Sequence, residues 1–285
     1  MKRTFKLSSL AVIVLYFGEM KPLEEFVFLI PSYNNARWYE INLNSVVKQK
    51  FTQPFRILYV NDCSTDATGS LVDSYVKKNR LEGLIKVIHN TKRMGALANI
   101  YNTIHNHCKD HEVVAILDGD DLLEDENVLL RLEKEYSNPN IWITYGKLRF
   151  WPSGKASSHR GIPQEVLENK KLRQYLTHKM LPLHLQTFRV KLFKRIKKED
   201  LIDSEGKFFP MTYDQAIMLP MLEMAAPITK NAENHSKFIT DILYKYNDRN
   251  PISDGRVNSN LQHAIERLIR SKKPYDPVES LEYTS

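Results

Sequence analysis

The chain has 285 residues, 42% of them hydrophobic and 10% aromatic, which is enough for a substantial core and excludes a disordered chain. Its two cysteines, Cys63 and Cys108, lack the spacing of a disulfide framework or a zinc site and indicate a reducing compartment. The net charge of +7 is uneven, because residues 145–198 hold 14 lysines and arginines against two acidic residues, Glu165 and Glu168.

Residues 1–20 are predicted to be an apolar N-terminal extension. Three basic residues precede a 12-residue apolar run from Leu7 to Gly18, similar to the basic and apolar regions of a signal peptide. The run is shorter than the roughly 20 residues that cross a bilayer, and no clear cleavage site follows it. A signal, an anchor and an upstream extension all fit. We expect a cytoplasmic protein that either stays in solution or lies peripherally at the inner face of a membrane.

Four short apolar runs in the first half of the chain each stop at a polar turn, which is typical of buried strands. Helical patterns lie between them, one of them after Ser64-Thr65-Asp66, which favours a helix N-terminus. This alternation predicts a largely parallel α/β sheet with helices on both faces, whose ligands bind at the carboxyl ends of the strands. The runs span residues 26–30, 56–60, 84–88 and 113–117, and the helices span 38–49, 68–78 and 94–107.

The pattern changes after about residue 145. Prolines at positions 152, 163 and 182, a basic helical stretch and few strand-like runs predict a largely helical part that packs on the sheet rather than folding separately. A helix and a frayed tail are predicted in residues 256–285. The positive charge of 145–198 is typical either of a face that meets a phosphate-rich substrate, anionic lipid or nucleic acid, or of a solvated helical surface.

Residues 118–121, with the sequence Asp-Gly-Asp-Asp directly after the fourth run, are the strongest chemical signal. Clustered carboxylates repel one another unless water or a cation offsets their charge, and hard oxygen ligands suit Mg²⁺ or Mn²⁺. An EF-hand calcium loop is excluded, because leucines occupy the positions that need an oxygen ligand and a glycine. Helix capping is an alternative for Asp121, but capping does not require Asp118 or Asp120.

Two weaker motifs follow the first two runs. Residues 31–35 place Tyr33 where its ring can stack on a base, and residues 61–66 place Asp62 where its carboxylate can accept from a base N–H. Each motif alone is as typical of a turn or a helix cap. Their order, each at a strand end, is more specific than either motif by itself.

Together these motifs resemble the family 2 glycosyltransferases of the GT-A fold, a Rossmann-like α/β fold. That family has P-x-Y-N after the first strand, D-D-x-S-x-D after the second, G-x-x-x-A-x-N at a helix start and D-x-D after a later strand. Asn61 is a departure, because the family usually has the first Asp of its pair there. The chain matches these motifs at 31–34, 61–66, 95–99 and 118–120, and the resemblance covers 26–150.

The resemblance implies a role for each matching residue. Tyr33 and Asp62 would face the base, and Arg93 would approach the base or the diphosphate. Asp118 would serve the ribose or the hydration shell of a metal, and Asp120 would bind Mn²⁺ or Mg²⁺ directly. The residues implied in nucleotide-sugar binding are Pro31, Tyr33, Asp62, Arg93, Asp118 and Gly119.

An inverting transfer also needs a base for the acceptor hydroxyl. In the family this base lies in an acidic motif that opens a helix on the acceptor side. Asp214, in Thr-Tyr-Asp-Gln before an apolar stretch, matches that position. A helix cap is the alternative role for Asp214. As the candidate base, Asp214 is favoured by the order of the motifs over Asp200, Asp203 and Glu205.

Two later segments resemble one bacterial subset of the family. Residues 184–189 (His-Leu-Gln-Thr-Phe-Arg) place His184 and Arg189 on the acceptor or phosphate side, although a structural histidine and a simple ion pair are alternatives. Residues 243–247 with Asn250-Pro251 resemble a second stretch, Y-x-Y-N followed by N-P. With them the resemblance extends to about residue 255.

The leading prediction is a metal-dependent, inverting hexosyltransferase that moves a hexose from a nucleoside diphosphate sugar, UDP being the family's commonest nucleotide, to an acceptor hydroxyl. Its domain would span 21–255, with the nucleotide-sugar-binding half at 26–150 and the acceptor half at 151–255. A sugar-phosphate nucleotidyltransferase is less favoured, because no glycine-rich loop follows the first strand. A non-catalytic basic protein that binds anionic membrane or nucleic acid is also less favoured, since no nucleic-acid motif is present. The acceptor, whether glycan, lipid-linked or protein, stays open.

Overall fold

The four apolar runs of the first half form four parallel strands. The computed structural model describes residues 25–51, 53–175, 184–230, 232–252 and 254–281, so the predicted extension at 1–20 lies outside the described residues. The strands lie side by side in the order β3-β2-β1-β4, and their parallel pairing confirms the predicted parallel sheet. They are β1 (Phe26–Ser32), β2 (Phe55–Asn61), β3 (Ile85–His89) and β4 (Val113–Ile116).

Helices cover both faces of these strands, and they are α1 (Tyr39–Val47), α2 (Thr68–Lys78) and α3 (Ala96–His107). Apolar residues of α1 and α2 join one core and those of α3 join the other. Within α1, Leu43 is buried in the core whereas Ile41 is 36% exposed. Asn42, next to Leu43, is also buried, and it donates to the carbonyl oxygens of Asp118 and Asp121.

The chain after β4 extends the same sheet instead of forming a separate body. It adds β5 (Leu122–Leu123), β6 (Ile143–Trp151), β7 (Gln186–Arg189) and β8 (Ser236–Asn247). The full order is β3-β2-β1-β4-β7-β6-β8-β5, in which β7 is antiparallel to both β4 and β6, and β6 is parallel to β8. The sequence indicated few strands here, so this part contributes more to the sheet than expected.

The remaining helices surround this part of the chain. The most buried is α8, whose residues from Gln215 to Met224 are all enclosed, as expected for a helix that is apolar on every side. No helix in the described ranges is long and apolar enough to cross a membrane. These helices are α4 (Val128–Tyr136), α5 (Gln164–Glu168), α6 (Leu172–Tyr175), α7 (Val190–Phe193), α8 (Tyr213–Met224), α9 (Asp254–Val257) and α10 (Ser259–Ser271).

Candidate active site

The loops at the carboxyl ends of β1, β2 and β4 open onto one cleft of 470 Å³, together with the start of α8 and the end of β8. This is the edge at which a parallel sheet binds its ligands. Most of the predicted site residues line this cleft, and only Gly119 and Arg189 do not. The lining members of the predicted set are Pro31, Tyr33, Asp62, Arg93, Asp118, Asp120, His184 and Asp214.

Tyr33 and Arg93 form a stacked pair at one wall. The Arg93 guanidinium carbon lies 3.8 Å from the centre of the Tyr33 ring. Such a pair gains from the attraction between a cation and an aromatic face. It presents a flat, positively charged surface to the cleft.

Asp62 is buried beside this pair and organises the loop that carries Arg93. Its Oδ1 accepts from Asn90 Nδ2 and from the Met94 amide, and its Oδ2 accepts from the Gly95 amide, each at 2.8 Å. A carboxylate has about four acceptor positions, so one position on Oδ2 is left for a ligand. The sequence predicted Asp62 at the site but did not reveal this second, structural role.

The acidic loop after β4 is held by side chains from distant parts of the chain. The Tyr213 hydroxyl donates to Asp118 Oδ1 at 2.7 Å, and Asn250 Nδ2 donates to Asp120 Oδ2 at 2.6 Å. Burial raises the pKa of Asp120, and the Asn250 hydrogen bond offsets part of that shift. Burial likewise raises the pKa of Tyr213, with the nearby Asp118 charge adding to it, so the phenol stays protonated and donates.

Asp121 does not open a helix, so the capping alternative for this residue is wrong. The strand β5 follows it, and the next helix begins at Val128. Its carboxylate is buried and accepts from the Tyr244 hydroxyl at 2.5 Å and from the Asn247 amide at 2.6 Å. Burial, followed by the charges of Asp120 and Asp118, raises its pKa well above the usual range. Asp121 therefore anchors the acidic loop to the end of β8.

Gly119 is required for the close approach of two loops. A Cβ at position 119 would lie 2.5 Å from Ser32 Oγ, closer than any real contact. The Gly119 amide donates to the Pro31 carbonyl oxygen at 3.1 Å. Gly119 lies outside the cleft lining, and its lack of a side chain lets the acidic loop lie against the β1 loop.

Asp214 lies in the first turn of α8 and lines the cleft. The N-cap position of α8 belongs to Thr212, whose side chain makes no capping hydrogen bond. The simple capping alternative for Asp214 is therefore not what the structure shows. Negative charge near a helix N-terminus is stabilised by the helix dipole.

His184 packs beside the acidic loop. Its ring stacks on Tyr244, with 4.6 Å between ring centroids and 22° between planes. Burial lowers the pKa of His184 to about 4, so the imidazole is neutral near pH 7. Its Nδ1 has no hydrogen-bond partner among the described residues.

Arg189 was expected on the acceptor or phosphate side, and the structure contradicts this. It pairs with Val113 at the amino end of β4, the edge of the sheet opposite the cleft. Its guanidinium donates to the carbonyl oxygen of Ile141 at 2.9 Å and lies over the Tyr136 ring. Arg189 therefore supports the fold at the far edge.

Sequence reasoning missed several residues that hold the site together. Tyr213 and Tyr244 fix Asp118 and Asp121, and Asn250 fixes Asp120. The matched stretches at 243–251 were the available signal for Tyr244 and Asn250, but they named no role. Tyr213 could be found only as the neighbour of Asp214.

The acidic loop fits a divalent cation that arrives with a ligand. Within the described ranges, no group of three or more His, Cys, Asp or Glu side chains is arranged around a common metal position. Mg²⁺ is often bound through only one or two carboxylates together with substrate phosphates. Asp118 and Asp120 both line the cleft and present two carboxylates of this kind.

The family model described as Glycosyl transferase family 2 matches residues 27–197, more than half of the chain. This confirms the family resemblance of the sequence motifs. The matched range includes the stacked pair and the acidic loop. Asp214 lies beyond it.

Two curated proteins are similar in sequence. The chain is 30% identical over 105 residues to TarS, a poly(ribitol-phosphate) beta-N-acetylglucosaminyltransferase of Staphylococcus aureus. The aligned region covers 36% of this chain and 18% of TarS. It is 24% identical over 234 residues to the glycosyltransferase GlyG of Streptococcus pneumoniae, and this alignment covers 78% of the chain and 70% of GlyG. The match therefore spans less than a fifth of the length of TarS.

Solved structures share the fold. A crystal structure of S. aureus TarS with UDP-GlcNAc has a TM-score of 0.56 at 20% identity, covering 86% of this chain and 65% of that one. The mannosyltransferase PcManGT from Pyrobaculum calidifontis, in complex with GDP-Man and Mn²⁺, has a TM-score of 0.58 at 16% identity, covering 88% and 65%. These likenesses confirm the predicted GT-A fold.

Proposed function

Because the chain belongs to glycosyl transferase family 2, we propose that it moves a hexose from a nucleoside diphosphate sugar to an acceptor hydroxyl. The observation that carries the proposal is one cleft lined by a stacked aromatic–cation pair, an acidic loop and a carboxylate on a buried helix. These features would supply, in that order, a surface for a base, ligands for the cation of a metal-bound diphosphate and a proton acceptor.

We assign the nucleotide to the wall formed by Pro31, Tyr33, Asp62 and Arg93. The flat Tyr33–Arg93 pair suits a base or a diphosphate, and the remaining acceptor position on Asp62 suits a base N–H. UDP is the proposed nucleotide. Its support is the likeness to TarS, whose structure was solved with UDP-GlcNAc.

Asp120, with Asp118 beside it, would hold the Mn²⁺ or Mg²⁺ ion of a metal-bound donor. When bound, the ion offsets the charge of the diphosphate and assists its departure. Asn250 and Tyr213 hold these two carboxylates by hydrogen bonds of 2.6 and 2.7 Å, so they are oriented before the donor arrives. The Mn²⁺ in the PcManGT complex supports this assignment.

Asp214 is the proposed general base. It accepts the proton of the acceptor hydroxyl while that oxygen bonds to the anomeric carbon and the bond to the diphosphate oxygen breaks. Attack from the face opposite the diphosphate inverts the anomeric centre. His184 is neutral at working pH because burial lowers its pKa to about 4, so it offers a hydrogen bond near the diphosphate or acceptor without adding charge.

We propose that residues 26–150 form the donor half and 151–255 the acceptor half of one GT-A domain at 21–255. We assign to the acceptor wall Phe150, at the boundary of the two halves, Tyr246, and Gln262 of α10, which all line the cleft. Residues 256–285 would then complete the acceptor side. Aromatic and apolar side chains on this wall suit an acceptor with an apolar face, such as a sugar ring.

A donor screen tests the proposal. The protein is incubated with Mn²⁺ and UDP-glucose, UDP-galactose, UDP-GlcNAc or GDP-mannose, and release of nucleoside diphosphate is measured. We expect release with at least one donor and none from a protein carrying Asp120→Ala and Asp214→Ala. No release from any donor, together with no nucleotide-dependent change in Tm, would sink the proposal.

A further inference from the structure

Thr212 lines the cleft, and its buried side-chain hydroxyl has no hydrogen-bond partner among the described residues. Threonine at a helix N-cap normally accepts a hydrogen bond from the helix backbone. Thr212 is the N-cap of α8, yet its side chain makes no capping bond. Its Oγ1 has no hydrogen-bond partner in the described part of the chain, although the residue is only 4% exposed and lines the cleft.

The backbone explains why the hydroxyl does not cap the helix. Thr212 has φ of 62° and ψ of 32°, in the left-handed region. This conformation is uncommon for a residue other than glycine and is strained for a β-branched one. A buried hydroxyl without a hydrogen bond is also unfavourable. Thr212 carries both penalties, and a ligand hydroxyl would remove the second.

The position of Thr212 identifies the ligand group. The next residue, Tyr213, donates to Asp118 at 2.7 Å, on the diphosphate side of the cleft. The residue after that is Asp214, the proposed base. A group bound at Thr212 therefore lies between the diphosphate and the acceptor, which is where the transferred sugar must sit.

We propose that Thr212 Oγ1 hydrogen-bonds one hydroxyl of the transferred sugar and helps to select the donor. This inference rests on the proposed function. A threonine hydroxyl both donates and accepts, so it can pair with a sugar hydroxyl in either sense. A site built to bind a substrate hydroxyl discriminates strongly against an analogue that lacks it.

The first experiment compares Thr212→Val and Thr212→Ser with the wild type, using whichever donor gives the fastest release in the screen. Valine keeps the β-branched shape and loses the hydroxyl, whereas serine keeps the hydroxyl. We expect nucleoside diphosphate release to fall roughly 10–100-fold in Thr212→Val and less than about 3-fold in Thr212→Ser. Thr212→Gly adopts a positive φ without strain, so an equal fall in that variant cannot come from added backbone strain at position 212.

The second experiment uses donors that each lack one hydroxyl of the same sugar. One of these deoxy donors should be turned over roughly 10–100-fold more slowly by the wild type. That same donor should be turned over equally by the wild type and Thr212→Val, because the hydrogen bond is already missing. With every other deoxy donor, Thr212→Val should still turn over more slowly than the wild type.

Three results would overturn the inference while the proposed function stands. The first is unchanged nucleoside diphosphate release in both Thr212→Val and Thr212→Gly. The second is a release by Thr212→Val that is slower than that of the wild type by the same factor with every deoxy donor. The third is a Thr212→Val protein that transfers less sugar to an acceptor but releases nucleoside diphosphate into water as fast as the wild type. The last result would place the hydroxyl against the acceptor. Failure of the wild type with every donor would instead refute the proposed function.

Discussion

Asp214 is the residue on which the proposed chemistry depends, because it faces the cleft from the first turn of α8. We expect Asp214→Asn to lower transfer by roughly 10²–10⁴-fold, since an amide does not accept the acceptor proton. Binding of nucleoside diphosphate, measured by calorimetry, should be unchanged because Asp214 is not one of the residues assigned to the nucleotide.

Glu40→Gln is the matched control for this variant. Glu40 also lies in the first turn of a helix, α1, but it is exposed and outside the cleft. The control removes one negative charge from the same helical position and should leave transfer unchanged. Turnover of Asp214→Asn above a tenth of the wild-type value would show that Asp214 is not the base.

His184 should limit stability on the acid side. Burial lowers its pKa to about 4, whereas a histidine in the unfolded chain titrates near 6.5. The unfolded chain therefore takes up the proton first as the pH falls. The titration of His184 therefore lowers the free energy of unfolding progressively from pH 6.5 to pH 4, by on the order of 3 kcal/mol at pH 4.

Urea unfolding between pH 7 and pH 4 measures this effect in the wild type and in His184→Phe. The variant keeps a ring beside Tyr244 and removes the titration. Burial raises the pKa of Asp120 and Asp121, and these groups act in the opposite sense in both proteins. The free energy of unfolding of the variant minus that of the wild type should therefore increase as the pH falls from 7 to 4. A constant difference would contradict the assignment.

The contrast between His184 and Arg189 shows what a local sequence motif leaves undetermined. One six-residue segment indicated both, yet they lie at opposite edges of the sheet. Because β7 runs antiparallel to β4, Gln186 pairs with Ile116 near the cleft and Arg189 pairs with Val113 far from it. The direction of a short strand depends on long-range pairing. Tyr33, Asp62 and Asp118 were predictable because each follows a strand of the parallel set.

Helix α8 connects the cleft to the core at the scale of whole elements. Its N-terminus carries Asp214, and Glu223 near its C-terminus is buried. Arg173 of α6 donates to both Glu223 oxygens at 2.6 and 2.8 Å, and each side chain is 5% exposed. Arg173 also donates to the Ile269 carbonyl oxygen near the end of α10. This pair therefore joins α6, α8 and α10.

Breaking the pair should destabilise the protein. Glu223→Gln leaves the Arg173 guanidinium buried beside a neutral group, and we expect the free energy of unfolding to fall by about 3–5 kcal/mol. Asp276→Asn is the control, because its pair with Lys170 is exposed and surface pairs contribute little. Urea unfolding measures both variants. A loss in Glu223→Gln no larger than that of the control would show that the buried pair does not hold these helices together.

The strands of the two halves differ in how clearly their sequences mark them. Every residue of β1 is buried, so the strand is an uninterrupted apolar run. β8 carries Lys237, Asp241 and Lys245 and is partly exposed along its length. Its pairing with β6 also shifts register near Lys147. No continuous run or clean alternation marks such strands, and they form only because they pair with a distant partner.

The charge of the whole molecule is more balanced than the local count suggests. Residues 145–198 carry 14 basic and two acidic residues, but several of these cations pair with acids elsewhere in the chain. Arg149 pairs with Glu124 at 2.9 Å and Lys194 with Asp110 at 2.6 Å. A count along the sequence misses these partners because they lie far away in the chain. The structure thereby weakens the main support for a basic binding protein.

Ligand binding should stabilise the whole molecule, because the cleft takes residues from β1, β6, β8 and α8. At a ligand concentration 100 times Kd, binding adds about 2.7 kcal/mol, which raises Tm by on the order of 5–10 °C for a domain of this size. We expect UDP with Mn²⁺ to approach this rise and UDP alone to give less. Asp120→Asn should lose the Mn²⁺-dependent part and keep the rest, because the Tyr33–Arg93 wall is intact. An equal rise in the Tm of the wild type with UDP alone and with UDP and Mn²⁺ would show that Asp120 is not a metal ligand.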